Sequence, residues 1–355
     1  MTPRLPGPAL KGGSLALLAA ALFGLSTPLV QHFGRGLGAF TTAALLYTGA
    51  AVVALLMRHP PEREAGLRRS DLPRILAMAG LGAVIGPVAL AWGLQRTSGS
   101  SASLMLALEA VFTAVLAWRL YGETMDKRVG VAMFLLLAGG MALVLEQGLA
   151  GDTQLLGLLA VLLATAAWGV DNTLSRGVAD RDPGQVVLAK AALGASATVG
   201  LAFLLREPLP GMGAIAALLA IGATGYGLSL RLYLLAQREF GAGRTGSVFA
   251  FAPFIGALGA FALGSRSGTW MLGVGGILML AGVVLHLLES HGHPHDHEAL
   301  EHEHAHSHDD DHHLHPHDVM PSGPHSHWHR HEPLRHQHPH VPNAHHLHAH
   351  GSDKA

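Results

Sequence analysis

Between residues 12 and 288 one apolar run follows another, each long enough to cross a bilayer, and this leaves little choice of fold. About 20 helical residues span roughly 30 Å of hydrocarbon. Backbone amides in lipid must be satisfied within the protein, so such runs are helices and not strands. Ten runs fit, at about 14–33, 38–57, 73–94, 99–119, 129–147, 154–174, 185–205, 211–236, 244–264 and 269–288. Only 13% of the residues are charged, against roughly a quarter in soluble domains. The predicted fold class is an all-α membrane protein with ten transmembrane helices. The first run follows Arg4 and Lys11 as a secretory signal would, but its length and the lack of a small-residue cleavage site keep it as a span.

Loop charge sets the expected orientation, because lysine and arginine near span ends stay on the cytoplasmic side. With residues 1–11 inside, fourteen lysines and arginines fall on inner segments, among them Arg58, Arg68, Lys127, Arg176 and Arg238. Four fall on outer loops: Arg35, Arg96, Arg206 and Arg266. An even number of spans returns the chain to the cytoplasm. We therefore expect an integral protein of the cytoplasmic (inner) membrane with both termini cytoplasmic.

Two stretches look alike at a spacing of about 143. Leu106-Ala-Leu-Glu-Ala-Val-Phe112 followed by Leu135-Leu-Leu-Ala-Gly-Gly140 matches Val248-Phe-Ala-Phe-Ala-Pro-Phe254 followed by Ile277-Leu-Met-Leu-Ala-Gly282. Upstream, Ala21-Leu-Phe-Gly24 matches Ala166-Ala-Trp-Gly169. This divides the membrane part into residues 12–149 and 150–288, five spans each. Five is odd, so the second half enters from the opposite side, and the repeats are inverted. Secondary transporters are commonly built this way, with the site at the repeat interface.

With its small-residue first helix ending in an aromatic-glycine pair in each half, and with Glu-Ala-Val-Phe-Thr-Ala-Val-Leu-Ala-Trp-Arg-Leu-Tyr-Gly-Glu at 109–123, the region from 12 to 288 resembles the EamA-type transporters of the drug/metabolite transporter superfamily. The resemblance implies a ten-helix carrier, generally an exporter of small metabolites or amino acids, driven by gradients. The family pattern often has proline after the glutamate, where this chain has Ala110; the second half carries Pro253 one position later and lacks the glutamate.

An ionisable group at mid-span costs about 2.5–3.5 kcal/mol, so each is a site candidate. Glu109, near the centre of the fourth span, is the proton-coupling candidate, a structural glutamate being the alternative. Asp171 and Asn172 form a polar-aromatic stripe with Trp168 on the sixth span. Their counterparts in the first helix are Ser26 and Thr27, beside Pro28. Lys190, at similar depth on the seventh span, is placed to pair with Asp171 or to reach the interface along its stem. Arg231, with Tyr226 nearby on the eighth span, suits a carboxylate held bidentately or an interfacial position. Pro28, Pro87 and Pro253 lie inside spans as candidate hinges.

No Gly-x-x-x-x-Gly-Lys-Ser/Thr loop is present, which argues against a built-in ATPase, and no nucleophile-and-base constellation appears. The expectation is a carrier and not an enzyme, with no required cofactor.

Residues 289–355 are a different material. They hold 23 of the 26 histidines and 11 of the 24 acidic residues, and carry a net −8 against +7 for the remainder. With hardly any apolar residues between Pro, Gly and acid, this tail cannot build a packed core and is expected to be disordered and cytoplasmic. With no cysteine in the chain, soft-metal binding falls to histidine. Neutral imidazole binds zinc, nickel, cobalt or copper. The candidates are His291, His293, His295 and His297, then His302, His304, His306, His308, His312 and His313, then His325, His327, His329 and His331.

The expected partners are the lipid bilayer, a small-molecule substrate and divalent metal ions, with homodimerisation left open and nucleic acid excluded. Two further readings stay open: a divalent metal exporter fed by the tail, and a membrane-anchored metal buffer or sensor without transport.

Overall fold

The computed structural model describes residues 7–57, 65–121, 127–178, 181–240, 242–265 and 269–287, together with four tail segments, 292–296, 300–306, 325–331 and 335–339. Among the described residues, nine helical stretches are long and apolar enough to cross a membrane. A tenth, shorter apolar stretch runs from Trp270 to Leu285. The spans are α1 (Gly7–Phe33), α2 (Ala39–Leu56), α3 and α4 (Leu72–Met78 and Gly86–Leu94), α5 and α6 (Gly99–Met105 and Glu109–Tyr121) and α7 (Lys127–Ala150). The second half repeats the order as α8 (Asp152–Ser175), α9 (Pro183–Leu204), α10 and α11 (Met212–Ile221 and Ser229–Phe240), α12 and α13 (Ala242–Phe249 and Ala252–Ala262) and α14 (Trp270–Leu287).

Large apolar side chains face outward as well as inward. Phe134, Phe203, Leu209 and Trp270 are all more than two-thirds exposed, as suits a surface solvated by hydrocarbon. Inside, small residues let helices touch: Gly139 lies against Gly275 and Met279 of α14, and Gly282 against Ala132 of α7.

Successive connections gather at alternate ends of the bundle. At one end Gln95 donates to the Leu37 carbonyl and Glu207 caps the start of α2. At the other Arg181 pairs with Asp71, and the Asp182 amide bonds to the Ala65 carbonyl. Each span therefore traverses the bundle, and with five spans per half the two halves are inverted.

The breaks within spans repeat as well. The third span is interrupted by a π-helical segment at Ala79–Ile85 and the eighth by another at Gly222–Leu228, 143 positions later at both ends. The fourth span narrows to a 3₁₀ turn at Leu106–Leu108 before α6 starts at Glu109. The ninth breaks at Ala250 and Phe251 before α13 starts at Ala252, again 143 later. Packing follows the same offset within two positions. A side chain on Gly82 would collide with Asp171, and one on Gly225 with Ser26; one on Gly24 would meet the Ala252 carbonyl, and one on Gly169 lies near that of Glu109.

The candidate hinges divide accordingly. Pro28 is the one inside a helix. Pro87 and Pro253 occupy the first turns of α4 and α13, directly after the interruptions, where a missing amide costs nothing. The eighth span has its π segment without a proline, so glycine, at Gly222, Gly225 and Gly227, is the shared feature.

In the tail, where composition excludes a packed core, the backbone forms two nested antiparallel pairs. β1 (Gly292–Asp296) pairs with β4 (Arg335–Pro339), and β2 (Leu300–His306) with β3 (His325–His331). A two-stranded ladder needs no core, and by itself it is marginal in water. His291, His297, His308, His312 and His313 lie outside the described residues.

Candidate functional site

The breaks converge on the seam between the halves, and Glu109, Asp171, Asn172, Trp168 and Lys190 meet there. A π-helical turn leaves carbonyls out of the regular ladder. At Gly82 the freed carbonyl accepts from Trp168 Nε1 at 2.9 Å and from the Tyr47 hydroxyl. With no side chain at Gly82, the Asp171 carboxylate and Lys190 ammonium come up against the same backbone.

Lys190 Nζ donates to Asp171 Oδ2, in a pair 3% and 2% exposed. Asp171 Oδ1 has no partner among the described residues. One position on, Asn172 Nδ2 donates to Glu109 Oε1. Glu109 is the first residue of α6, directly after the 3₁₀ turn, with its own amide bonded back to the Leu106 carbonyl. Two carboxyl groups on facing helices thus each hold one nitrogen donor.

Above this pair lies an aromatic cluster. Phe23 is edge-on to Trp168 at 5.5 Å and to Tyr226 at 5.8 Å, and Tyr47 is edge-on to Tyr226 at 5.6 Å. The Tyr226 hydroxyl, in the second π segment, and Thr27 Oγ1 are buried without a partner among the described residues. Ser26 is tied back to the Phe23 carbonyl at 2.6 Å. Buried polar atoms normally find partners, and these atoms leave hydrogen-bonding capacity available at the seam.

Arg231 lies apart. It is 7% exposed, and its guanidinium lies beside Gly184 together with the Asp182 carboxylate. Arg231 Nη1 and Asp182 Oδ2 lack partners among the described residues. Arg231 is thus neither lipid-interfacial nor part of the aromatic cluster; it sits near the Ala65 end, roughly two turns of α9 from Lys190.

Several residues of the site carry weak or no signal in the sequence. Tyr47 had a signal, since it stands 143 positions before Lys190 and both reach Gly82. Asp182 had one too: directly before Pro183, it caps α9 by accepting from the Gly184 amide at 2.7 Å. Glu207 and Glu146 are loop and span-end carboxylates that only the fold gives partners. Glu207 takes the Thr41 amide and hydroxyl, each at 2.7 Å. Glu146 takes the Thr269 hydroxyl at 2.6 Å. At the Gly38 end a cleft of about 470 Å³ is lined by Pro28, Gln31, His32, Arg35 and Ser98 among others.

The sequence pattern of the EamA-like transporter family matches residues 10–145 and again 155–288. The chain belongs to the EamA-like transporter family. The two matches fall on the two inverted halves. A protein of Methanothermobacter thermautotrophicus described as an uncharacterized transporter is 26% identical over 293 residues, covering 77% of this chain and 85% of that one. A crystal structure of a protein with no stated function shares the fold, with a TM-score of 0.57 at 20% identity over 78% of this chain and 97% of that one. The chain is thus an integral membrane transporter.

Proposed function

We propose that the chain is a gradient-driven exporter of a small metabolite or amino acid across the cytoplasmic membrane, with both termini and the histidine tail inside. The observation that carries this reading is the pair of buried carboxyl groups at the seam, Glu109 held by Asn172 and Asp171 held by Lys190, beside an aromatic cluster with unpartnered hydroxyls.

Asp171 is neutralised by Lys190, which leaves Glu109 without a cation. A proton and a substrate amino group then compete for one carboxylate, and such competition couples their opposite movements through mutual exclusion. Trp168, Tyr47, Tyr226 and Phe23 offer faces to an apolar or cationic portion of the substrate. Ser26, Thr27 and Asn172 offer hydrogen bonds. Arg231, set apart with Asp182, serves the path at one end and not the central site.

Alternation needs two forms of similar energy, and the symmetric breaks at Ala79–Ile85 and Gly222–Leu228 supply matched places to bend. The metal-export alternative has less support: among the described residues no three histidine, cysteine or carboxylate side chains gather as a metal site. The tail, in our reading, binds divalent metal on the cytoplasmic side.

The test is flux in vesicles carrying an imposed pH gradient, with a panel of radiolabelled amino acids and small amines. Glu109→Gln preserves an acceptor for Asn172 Nδ2, so the protein stays folded while pH-driven flux is abolished. Unchanged pH-driven flux in this variant removes Glu109 from the coupling, and its absence in the unaltered protein overturns the exchange mechanism.

A further inference from the structure

The Ala65 end holds two buried groups of opposite charge that the central site does not use. Arg231, on α11, is 7% exposed, and Asp182, at the start of α9, is fully buried. Arg181 is already paired with Asp71, and Lys190 with Asp171. Arg231 Nη1 and Asp182 Oδ2, in contrast, each lack a partner among the described residues. Asp182 is held in place, because its amide bonds to the Ala65 carbonyl and its Oδ1 accepts from the Gly184 amide, both at 2.7 Å. Its second oxygen is left over as an acceptor.

Gly184 lies between the two charges. The point where a β-carbon would sit on it is 3.0 Å from Arg231 Nη1, 3.1 Å from Asp182 Oδ1 and 3.7 Å from the carbonyl oxygen of Met57, which ends α2. A buried charge without a partner is costly. An anion alone would satisfy Arg231 and be repelled by Asp182, and a cation alone would do the reverse. A zwitterion meets both and buries no net charge. In an α-amino acid the carboxylate and the ammonium stand on one carbon. The guanidinium fork suits the carboxylate, while an ammonium has three donors to share between Asp182 Oδ2 and the Met57 carbonyl, at the negative end of α2.

We propose that Arg231, Asp182 and Gly184 form a loading subsite for the zwitterionic head of an α-amino acid, at the cytoplasmic end of the path. The carboxylate goes to Arg231 and the ammonium to Asp182, and glycine at 184 leaves the room. This rests on the reading of the chain as an exporter of a small metabolite or amino acid, and narrows it to substrates that carry both charges. The ammonium that leaves Asp182 is the group that then competes with a proton at Glu109.

The test is calorimetric binding of alanine, leucine and phenylalanine to the full-length protein in lipid nanodiscs. Each is compared with the acid left when its amino group is removed and the amine left when its carboxyl group is removed. The series is run in the unaltered chain and again with Glu109→Gln, which removes the competing carboxylate at the seam. The intact amino acids are expected to bind tightest in both. Asp182→Asn keeps an acceptor for the Gly184 amide, and asparagine caps a helix as well as aspartate does. It should weaken amino-acid binding about tenfold or more, the size of a lost charge-assisted hydrogen bond, while binding of the amino-free acid holds or rises because a like charge is gone. Arg231→Gln should do the opposite, losing the acid and keeping the amine. Gly184→Ala, which keeps both charges and puts a methyl group between them, should weaken the amino acids as well. If Asp182→Asn affects an amino acid and its amino-free acid alike, the subsite is wrong and the exporter reading stands. If the crossed selectivity is found but vesicles show no flux, the subsite stands and the exporter reading fails. If none of the amino acids binds, the subsite is overturned, and pH-driven flux of simple amines would still uphold the exporter.

Discussion

Lys190 and Asp171 bury a charge pair within the membrane part, 3% and 2% exposed, and its energetics can be read by removing one partner and then both. Taking away one member of a buried pair strands the other charge, at about 3–5 kcal/mol. Replacing both by neutral groups of similar volume is often neutral or stabilising. Asp171 Oδ1 already lacks a partner among the described residues, so no second donor stands ready to absorb a stranded carboxylate. Lys190→Met keeps the aliphatic stem and so leaves little cavity, which assigns its effect to charge and not to packing. At about 2–4 °C per kcal/mol for chains of this size, each of Lys190→Met and Asp171→Asn is expected to lower the melting temperature in detergent by about 6–20 °C. The double variant should recover most of that loss. Thermal unfolding followed by tryptophan fluorescence, run as a double-mutant cycle, reads the coupling directly. If the two single losses simply add in the double variant, the pair is not energetically linked and the site has been misdescribed.

Three further outcomes follow from the same geometry. Gly82→Ala drives a methyl group into the Asp171–Lys190 pair and should cost about 1–3 kcal/mol together with most of the flux. Gly130→Ala, which meets nothing within 4 Å, should leave melting and flux unchanged, and equal behaviour of the two would discount the close approach at Gly82. Glu207→Ala unclamps the start of α2, and Asp71→Ala removes the partner of Arg181. Labelling of single cysteines should rise at the Gly38 end in the first and at the Ala65 end in the second; a rise at the same end in both would exclude opposed gates. Cysteines at positions 60 and 300 should be labelled from the same side of the membrane, and labelling from opposite faces would break the ten-span count.

The span count and the inversion were legible because lipid imposes both: run length sets the number of helices, and an odd number per half sets the inversion. The offset of 143 was legible for the same reason, through Glu109 and its surroundings. What the sequence concealed were the interruptions. Ala79–Ile85 reads as one more apolar stretch, and its π turn shows only as glycine spacing, at Gly80 and Gly82, that suits packing equally well. Prolines drew attention to Pro87 and Pro253 as hinges, although each follows a break and neither causes the matching one at Gly222–Leu228. Asp171 and Lys190 could be paired from depth alone. The Asn172–Glu109 bond could not, because it depends on the rotation of α8 against α6, which no periodicity specifies.

The two halves share geometry but not chemistry, and this difference bears on mechanism. At the twin loci, Asp171 packs on Gly82 and Ser26 on Gly225. At the twin helix starts stand Glu109 and Ala252; and Lys190 answers to Tyr47. Each ionisable member of the central site therefore has a neutral counterpart at the related position of the other half: Ala252 for Glu109, Ser26 for Asp171 and Tyr47 for Lys190. In the proposed mechanism, two equivalent bends would supply two forms of similar energy, and charge at only one of each pair of related positions would mean that swapping those forms changes what the carboxylates face. On that proposal a proton or substrate bound to Glu109 would differ in its contacts between the two forms, and a ligand shifts a conformational equilibrium only through such a difference. Under the proposed mechanism, structural symmetry would make alternation cheap, and chemical asymmetry would let a bound group bias it.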